Sequence, residues 1–147
     1  MEDKLAFIKE AIKDKAGKVE FKGLMSLNAS IKEIGESYKD VLGWTVLYRS
    51  AGKCERYYHA QFPLIGMTRP VEVMCPMGIR TFDSYKVDFK EALEKMKKQN
   101  CGDKFVAMSL YWPLTPDCLE PYWFIRTDLG SHFVIGANSG KTECYKS

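Results

Sequence analysis

The sequence predicts an α+β fold, in which an antiparallel sheet carries helices packed on one face. Several short runs rich in β-branched and aromatic residues alternate with glycine and proline turns, as antiparallel strands do. Aromatic residues make up 13% of the chain, and their side chains suit a pleated, half-buried sheet. Amphipathic segments with helix caps interrupt the strands, which favours α+β over an all-β fold.

A chain of 147 residues is expected to form a single domain over residues 1–147. The predicted elements also repeat in their order, a helix followed by two or three strands. The first such unit would span about residues 30–75 and the second about residues 88–138. The repeat concerns organisation alone, because the two units share no visible residue pattern.

The first third of the chain predicts two helices around a strand. Residues 5–17 place apolar side chains at helical spacing and end at a glycine. Residues 18–27 alternate apolar and polar side chains, which predicts a strand. Ser30 and Glu33 then form a capping-box pattern, and apolar residues recur every three or four positions up to Gly43. This spacing predicts a second helix over residues 30–42.

The middle of the chain predicts a hairpin and two shorter strands. Residues 44–50 and 54–62 are rich in strand-forming side chains and are joined by the turn "AGK". Residues 69–75 alternate valines with polar residues, and the segment "IRTF" at 79–82 predicts a further short strand.

The clearest helix covers residues 88–99, followed by closing strands. Asp88 is a good N-cap and Glu91 lies three residues on, while lysines gather near the last turn, where the helix dipole favours them. Three strands are predicted after it, and the tail "TECYK" predicts a last short one. The three strands cover residues 104–112, 122–128 and 132–138.

The last third of the chain resembles the PepSY and cystatin-like group of small α+β modules. The helix would be "FKEALEKMKKQ" and the closing hairpin "PYWFIRTDLGSHFVIGANSGKT". The residues in matching places are Phe133, Ile135, Ala137, Gly140 and Lys141. The chain departs from the group at Asn138, where PepSY modules often carry an acidic residue, and in lacking the leader of an exported protein. The resemblance implies a binding or inhibitory module.

Net charge, hydropathy and cysteine content indicate which classes of partner and which cellular compartment to expect. The net charge of +3 is spread along the chain with no basic stripe, so no nucleic-acid partner is expected. No run approaches the about 18 apolar residues that a membrane span needs, so no membrane partner is expected. The five cysteines are odd in number and widely spaced, and no leader peptide is visible. These features predict free thiols and a cytoplasmic protein.

The chemical motifs of common enzymes are missing from the sequence. No close pairs of cysteines or histidines predict a metal site, and no glycine-rich phosphate loop is present, so no cofactor is expected. The best catalytic candidate is a thiol site in which Cys75 meets His132 near Asp128. The alternative for Cys75 is a small buried apolar residue, as free cysteine most often is.

Aromatic residues in the predicted strands carry the leading functional hypothesis. Consecutive aromatics in a strand must point to both faces of the sheet, so one member of each pair reaches the face without helices. Trp123, Ile125, Phe133 and Ile135 are predicted to share one face, and Tyr122, Phe124, His132 and Val134 the other. The sequence thus predicts a non-enzymatic binding module that recognises a protein partner, as inhibitor or immunity proteins do, or a second copy of itself. The candidate contacts are Tyr57, Tyr111, Trp112, Tyr122 and Phe124.

Two alternatives use the same strands differently. The aromatics could fill the core or a homodimer interface. The sheet and helices could instead enclose an apolar pocket for a small molecule, in a carrier or sensor. Its polar lining would be His59, His132, Arg126 and Tyr48. Asp117 and Glu120 lie in a loop near aromatic residues, where a carboxylate could serve a sugar or an amine, although a solvated loop is the simpler interpretation.

Overall fold

The computed structural model of the protein describes residues 21–50, 53–60, 66–67 and 71–146. The helix predicted over residues 5–17 lies outside these residues. The described chain forms, in order, β1 (Phe21–Ile31), a 3-10 helix (Tyr38–Asp40), β2 (Val41–Ser50), β3 (Lys53–Ala60), β4 (Gly66–Met67), β5 (Val71–Val73), β6 (Ile79–Arg80), α1 (Phe89–Lys98), β7 (Phe105–Pro113), β8 (Tyr122–Thr127), β9 (His132–Gly136) and β10 (Thr142–Tyr145).

The strands form a long antiparallel sheet with β1 near its middle. Its strand order is β10-β9-β8-β7-β1-β2-β3. β4 and β5 both pair with the outer edge of β3, and β6 pairs with the end of β7. Two meanders, β1–β2–β3 and β7–β8–β9–β10, therefore join side by side through the pairing of β1 with β7.

The predicted α+β fold with helices packed on one face is wrong, because the fold is dominated by the sheet. Among the described residues α1 is the one α-helix. The helix predicted over residues 30–42 does not form, since β1 continues to Ile31 and β2 begins at Val41. The proposed repeat of helix-plus-strands units therefore lacks its first helix.

A long-range contact accounts for the missing helix. The backbones of Gly35 and Phe105 exchange two hydrogen bonds, of 2.8 and 2.9 Å. A Cβ atom at Gly35 would lie 2.4 Å from the ring of Phe105, so this close approach of the two segments requires glycine. The capping box that does form is Ser37 with Asp40, at the 3-10 helix. Tertiary pairing thus overrides the helical spacing of this segment.

The helix predicted over residues 88–99 is confirmed as α1. The carboxylate of Asp88 accepts a hydrogen bond from the backbone N–H of Glu91, as an N-cap does. The buried side of the helix consists of Phe89, Ala92, Leu93 and Met96. This stripe packs on one face of the sheet, here called the inner face. Helix capping and periodicity therefore predict both the bounds and the orientation of α1.

Aromatic contacts tie α1 to both meanders. Trp44 of β2 contacts Phe89 of α1 and Trp123 of β8, with ring centroids 5.2 and 5.7 Å apart. The buried indole N–H of Trp123 donates a hydrogen bond of 2.7 Å to the carbonyl of Val87. The inner face is therefore part of a packed core, in which these large aromatic side chains contact one another and are buried.

The prediction of free thiols is wrong for four of the five cysteines. Cys54 is disulfide-bonded to Cys75, and Cys101 is disulfide-bonded to Cys144. Cys118, half-buried, is the free cysteine. The first disulfide joins β3 to the segment after β5, and the second joins the segment after α1 to β10. No helix in the described part of the chain is long and apolar enough to cross a membrane.

Candidate binding face

Alternate side chains of the closing hairpin, β8 and β9, point to opposite faces of the sheet. Trp123 and Ile125 of β8 are buried, while Tyr122 and Phe124 between them are only half-buried. In β9 Phe133 and Ile135 are buried, Val134 is half-buried and His132 is exposed. This division confirms the predicted partition of the hairpin, in which the first set faces the core and the second set faces away.

The residues facing away form a continuous surface, here called the outer face. It consists of Tyr111, Tyr122, Phe124, Arg126, His132 and Val134. Strand pairing sets Tyr111 opposite Tyr122 and Phe124 opposite Val134. The rings of Tyr111 and Phe124 are stacked, with centroids 4.5 Å apart and planes 20° from parallel. The sheet register thus gathers residues from three strands into one aromatic surface.

β10 extends this surface at the edge of the sheet. Glu143 is paired with Val134, and Tyr145 is paired with His132. A groove of about 440 Å³ lies between β10, the hairpin and the loop before β8. It is lined by Asp117, Cys118, Glu120, Tyr122, Phe124, Val134, Lys141, Glu143 and Tyr145. Aromatic rings and carboxylates therefore share one concave site.

Glu120 fixes one wall of the groove by holding the turn between β9 and β10. Its carboxylate accepts hydrogen bonds of 2.8 Å from the backbone N–H groups of Asn138 and Ser139, and one of 2.7 Å from the Ser139 hydroxyl. Partial burial opposes ionisation, but these bonds and the nearby Lys141 charge outweigh it and lower the pKa of Glu120. Gly136 leaves room for the carboxylate, since a Cβ there would lie 2.5 Å from it.

The groove is electrically negative around Tyr122. Partial burial, with the nearby charges of Glu120 and Glu143, raises the pKa of the Tyr122 hydroxyl. The Tyr145 hydroxyl donates a hydrogen bond to Glu143, and this bond raises the pKa of Tyr145. A carboxylate that accepts this bond still has a second oxygen, so Glu143 can accept another donor.

Exposed apolar side chains border the groove at the end of the sheet. Leu119, between two groove residues, is 81% exposed. Leu114 in the same loop is exposed, and its N–H donates to the carbonyl of Gly78, next to the 96% exposed Met77. Two loops therefore meet at this end of β7 and expose methionine and leucine to solvent, and Leu119 alone is adjacent in sequence to residues that line the groove.

Two of the five predicted contact residues face the wrong way. Tyr57 is buried on the inner face, where its ring contacts Tyr48. Trp112 lies on the face opposite to its neighbour Tyr111, and its N–H donates to the carbonyl of Cys118. The remaining three, Tyr111, Tyr122 and Phe124, lie together on the outer face.

The polar lining predicted for an enclosed pocket is not brought together. Tyr48 is buried on the inner face, and its hydroxyl donates a hydrogen bond to Glu55. Arg126 and His132 are exposed on the opposite face, paired across β8 and β9. The side chain of His59 lies outside the described residues.

The predicted thiol site also fails to form. Cys75 is in a disulfide with Cys54, so it has no free thiol to act as a nucleophile. Within the described ranges no group of three or more histidine, cysteine, aspartate or glutamate residues is placed to hold a metal ion.

Sequence reasoning missed Glu143, Tyr145 and Lys141 as members of the site. The alternation of Glu143 and Tyr145 in the tail was visible, but the pairing of β10 with β9 places them beside the hairpin. Asp117 and Glu120, which the sequence places in a loop near aromatic residues, both line the groove with Tyr122 and Phe124.

Comparison with known proteins identifies the fold alone. No family model matches the sequence, and no curated protein matches it. A crystal structure with a similar fold is that of a candidate lipoprotein from Clostridium difficile 630, with a TM-score of 0.50 and 13% sequence identity. The likeness covers 93% of this chain and 90% of that one. The resemblance to PepSY and cystatin-like modules is not supported, because no family model matches and the fold is dominated by the sheet.

Proposed function

We propose that the protein is a non-enzymatic binding module that recognises a protein partner through the outer face. The proposal is carried by one observation, the gathering of Tyr111, Tyr122 and Phe124 beside the groove on the face away from the core. Tyrosine and phenylalanine at such positions are typical anchors of protein interfaces, because they bury much area at little entropic cost. The exposed Leu119 beside the groove extends the same surface.

The two disulfides support a different compartment from the one that the cysteine pattern predicted. Disulfides persist in oxidising environments and are rare in the cytosol. We therefore infer that the protein folds in an oxidising compartment, where its partner would also be found.

Site-specific photocrosslinking in cells that produce the protein tests the proposal. A photoreactive phenylalanine analogue at Tyr122 is expected to yield a discrete adduct with another protein. The matched control carries the analogue at Tyr38, an exposed tyrosine of the 3-10 helix. An adduct that depends on position 122 and is lost in the Phe124→Ser variant supports the proposal. No adduct, or the same adducts from both positions, contradicts it.

A further inference from the structure

We propose that the groove binds a cationic side chain, arginine or lysine, of the protein partner. The inference rests on the proposed function and specifies the chemistry of the partner. Three features of the groove support it: a floor of aromatic rings, an excess of carboxylates in its walls, and the exposed Leu119 next to two lining residues.

The aromatic floor suits a cation. Tyr122 and Phe124 line the groove and Tyr145 stands at its edge, with the Tyr122 and Phe124 ring centroids 6.2 Å apart. The face of an aromatic ring attracts a guanidinium or ammonium group, and the attraction grows when water is excluded. The aliphatic stem of arginine or lysine would pack against Val134 in the same groove.

The charged residues that line the groove also favour a cationic side chain. Glu120 already accepts three hydrogen bonds from the turn, and Lys141 lines the same groove, so the groove holds one bound carboxylate and one cation. Asp117 and Glu143 are left, and among the described residues neither has an ion-pair partner. An incoming cation would therefore meet two uncompensated carboxylates beside aromatic rings.

The surroundings of the groove favour a protein over a membrane or a small free cation. Carboxylates in the groove oppose docking to an anionic lipid surface. Leu119 lies between two groove residues but outside the groove lining, where a small cation would leave it uncovered and a protein surface would bury it.

Titration of the isotope-labelled protein with two matched peptides tests the proposal by amide chemical shifts. One peptide is capped Gly-Arg-Gly-Arg-Gly, and the other replaces each arginine with citrulline, which has nearly the same shape without the charge. We expect the arginine peptide to shift amides within residues 117–124 and 142–145, and the citrulline peptide to leave them unchanged. Added salt should weaken the binding, because the groove charges are near the surface.

Variants of single charged residues test which groove charges contribute to the affinity for the arginine peptide. Glu143→Gln should weaken binding of the arginine peptide about tenfold, as loss of one charge-assisted contact does. Lys141→Gln should strengthen it by removing the competing cation. The control Glu94→Gln changes an exposed carboxylate of α1 and should leave the affinity unchanged.

Several outcomes would overturn the proposal. Equal shifts with the citrulline peptide, or no shifts with either, would show that the groove does not select a cation. Binding of choline as tight as that of the arginine peptide would make it a small-cation site. If crosslinking at Tyr122 succeeds while the arginine peptide fails, the binding module stands and the cationic anchor is wrong.

Discussion

The hydroxyl of Tyr57 is buried without a hydrogen-bond partner in the described part of the chain. A buried polar group left unpaired costs about 1–3 kcal/mol. The Tyr57→Phe variant keeps the ring that contacts Tyr48 and removes the unpaired atom. We expect its free energy of unfolding to rise by about 1 kcal/mol in urea denaturation.

Tyr48 provides the matched control for this prediction. Its hydroxyl donates to Glu55 on the neighbouring strand, so Tyr48→Phe removes a bond that is made. Its free energy of unfolding should fall by about 1 kcal/mol, the opposite sign to Tyr57→Phe. A loss of stability in both variants would mean that the Tyr57 hydroxyl has a partner in the folded protein.

The strand partition is predictable residue by residue only where alternation is unambiguous. In β8 the run from Tyr122 to Ile125 has a long apolar side chain at each position, yet the hairpin partition was predicted correctly from period two alone. Tyr57 and Tyr58 show the limit, since both are tyrosines and the sequence does not say which faces inward. Tyr57 is buried and Tyr58 is half-buried, so the side chain predicted to face outward is the one that faces the core.

At the scale of elements, the turn between β9 and β10 depends on the ionised form of Glu120. Because the pKa of Glu120 in the folded protein lies below its ordinary value of 4.5, the carboxylate stabilises the fold above that pH. This contribution is lost as the pH falls through the folded pKa. Glu120→Gln should therefore reduce the free energy of unfolding by about 1 kcal/mol at neutral pH, since its hydrogen bonds become neutral ones.

The pH dependence separates this charge effect from a steric one. The difference in unfolding free energy between wild type and Glu120→Gln should shrink as the pH is lowered from 6 to well below 4.5, because the wild-type carboxyl then takes up a proton. The matched control is Glu94→Gln on the exposed side of α1, which should unfold like wild type throughout. A difference that stays constant with pH would show that the charge of Glu120 does not stabilise the turn.

Elements were predictable where the signals that form them are local. α1 has its N-cap, its apolar stripe and its lysine-rich last turn within about a dozen residues, and these agree with one another. The segment around Gly35 carries similar helical spacing, but its conformation is decided by Phe105, 70 positions further along the chain. No local pattern contains that pairing, so the predicted second helix was wrong.

At the scale of the whole molecule, the site is assembled by contacts between distant parts of the chain. The groove needs β10 beside β9, and β10 is held there by its backbone pairing and by the disulfide from Cys144 to Cys101. Neither could be read from the sequence, since five cysteines allow many pairings and a short terminal strand has little pattern of its own. The tail is correctly predicted as a short strand, but the prediction of free thiols leaves out the disulfide that fixes the strand beside the hairpin.

The disulfide state can be counted by alkylation. Iodoacetamide applied to the unfolded but unreduced protein should modify one cysteine per chain, Cys118, and all five after reduction. Peptide mapping should place the single adduct at Cys118. More than one adduct before reduction would contradict the two disulfides.

The Cys101–Cys144 disulfide should stabilise the groove as well as the fold. It closes a loop across a sequence separation of 43, for which removal is expected to lower the free energy of unfolding by about 4 kcal/mol. Since β10 is an edge strand, its amides should lose protection first. In the Cys101→Ala/Cys144→Ala variant we expect faster hydrogen exchange at residues 142–145 than in wild type, with residues 122–127 of β8 less affected.

The Cys118→Ala variant is the control and should exchange as wild type does. Unchanged exchange of β10 in the double variant would show that backbone pairing alone holds that wall of the groove.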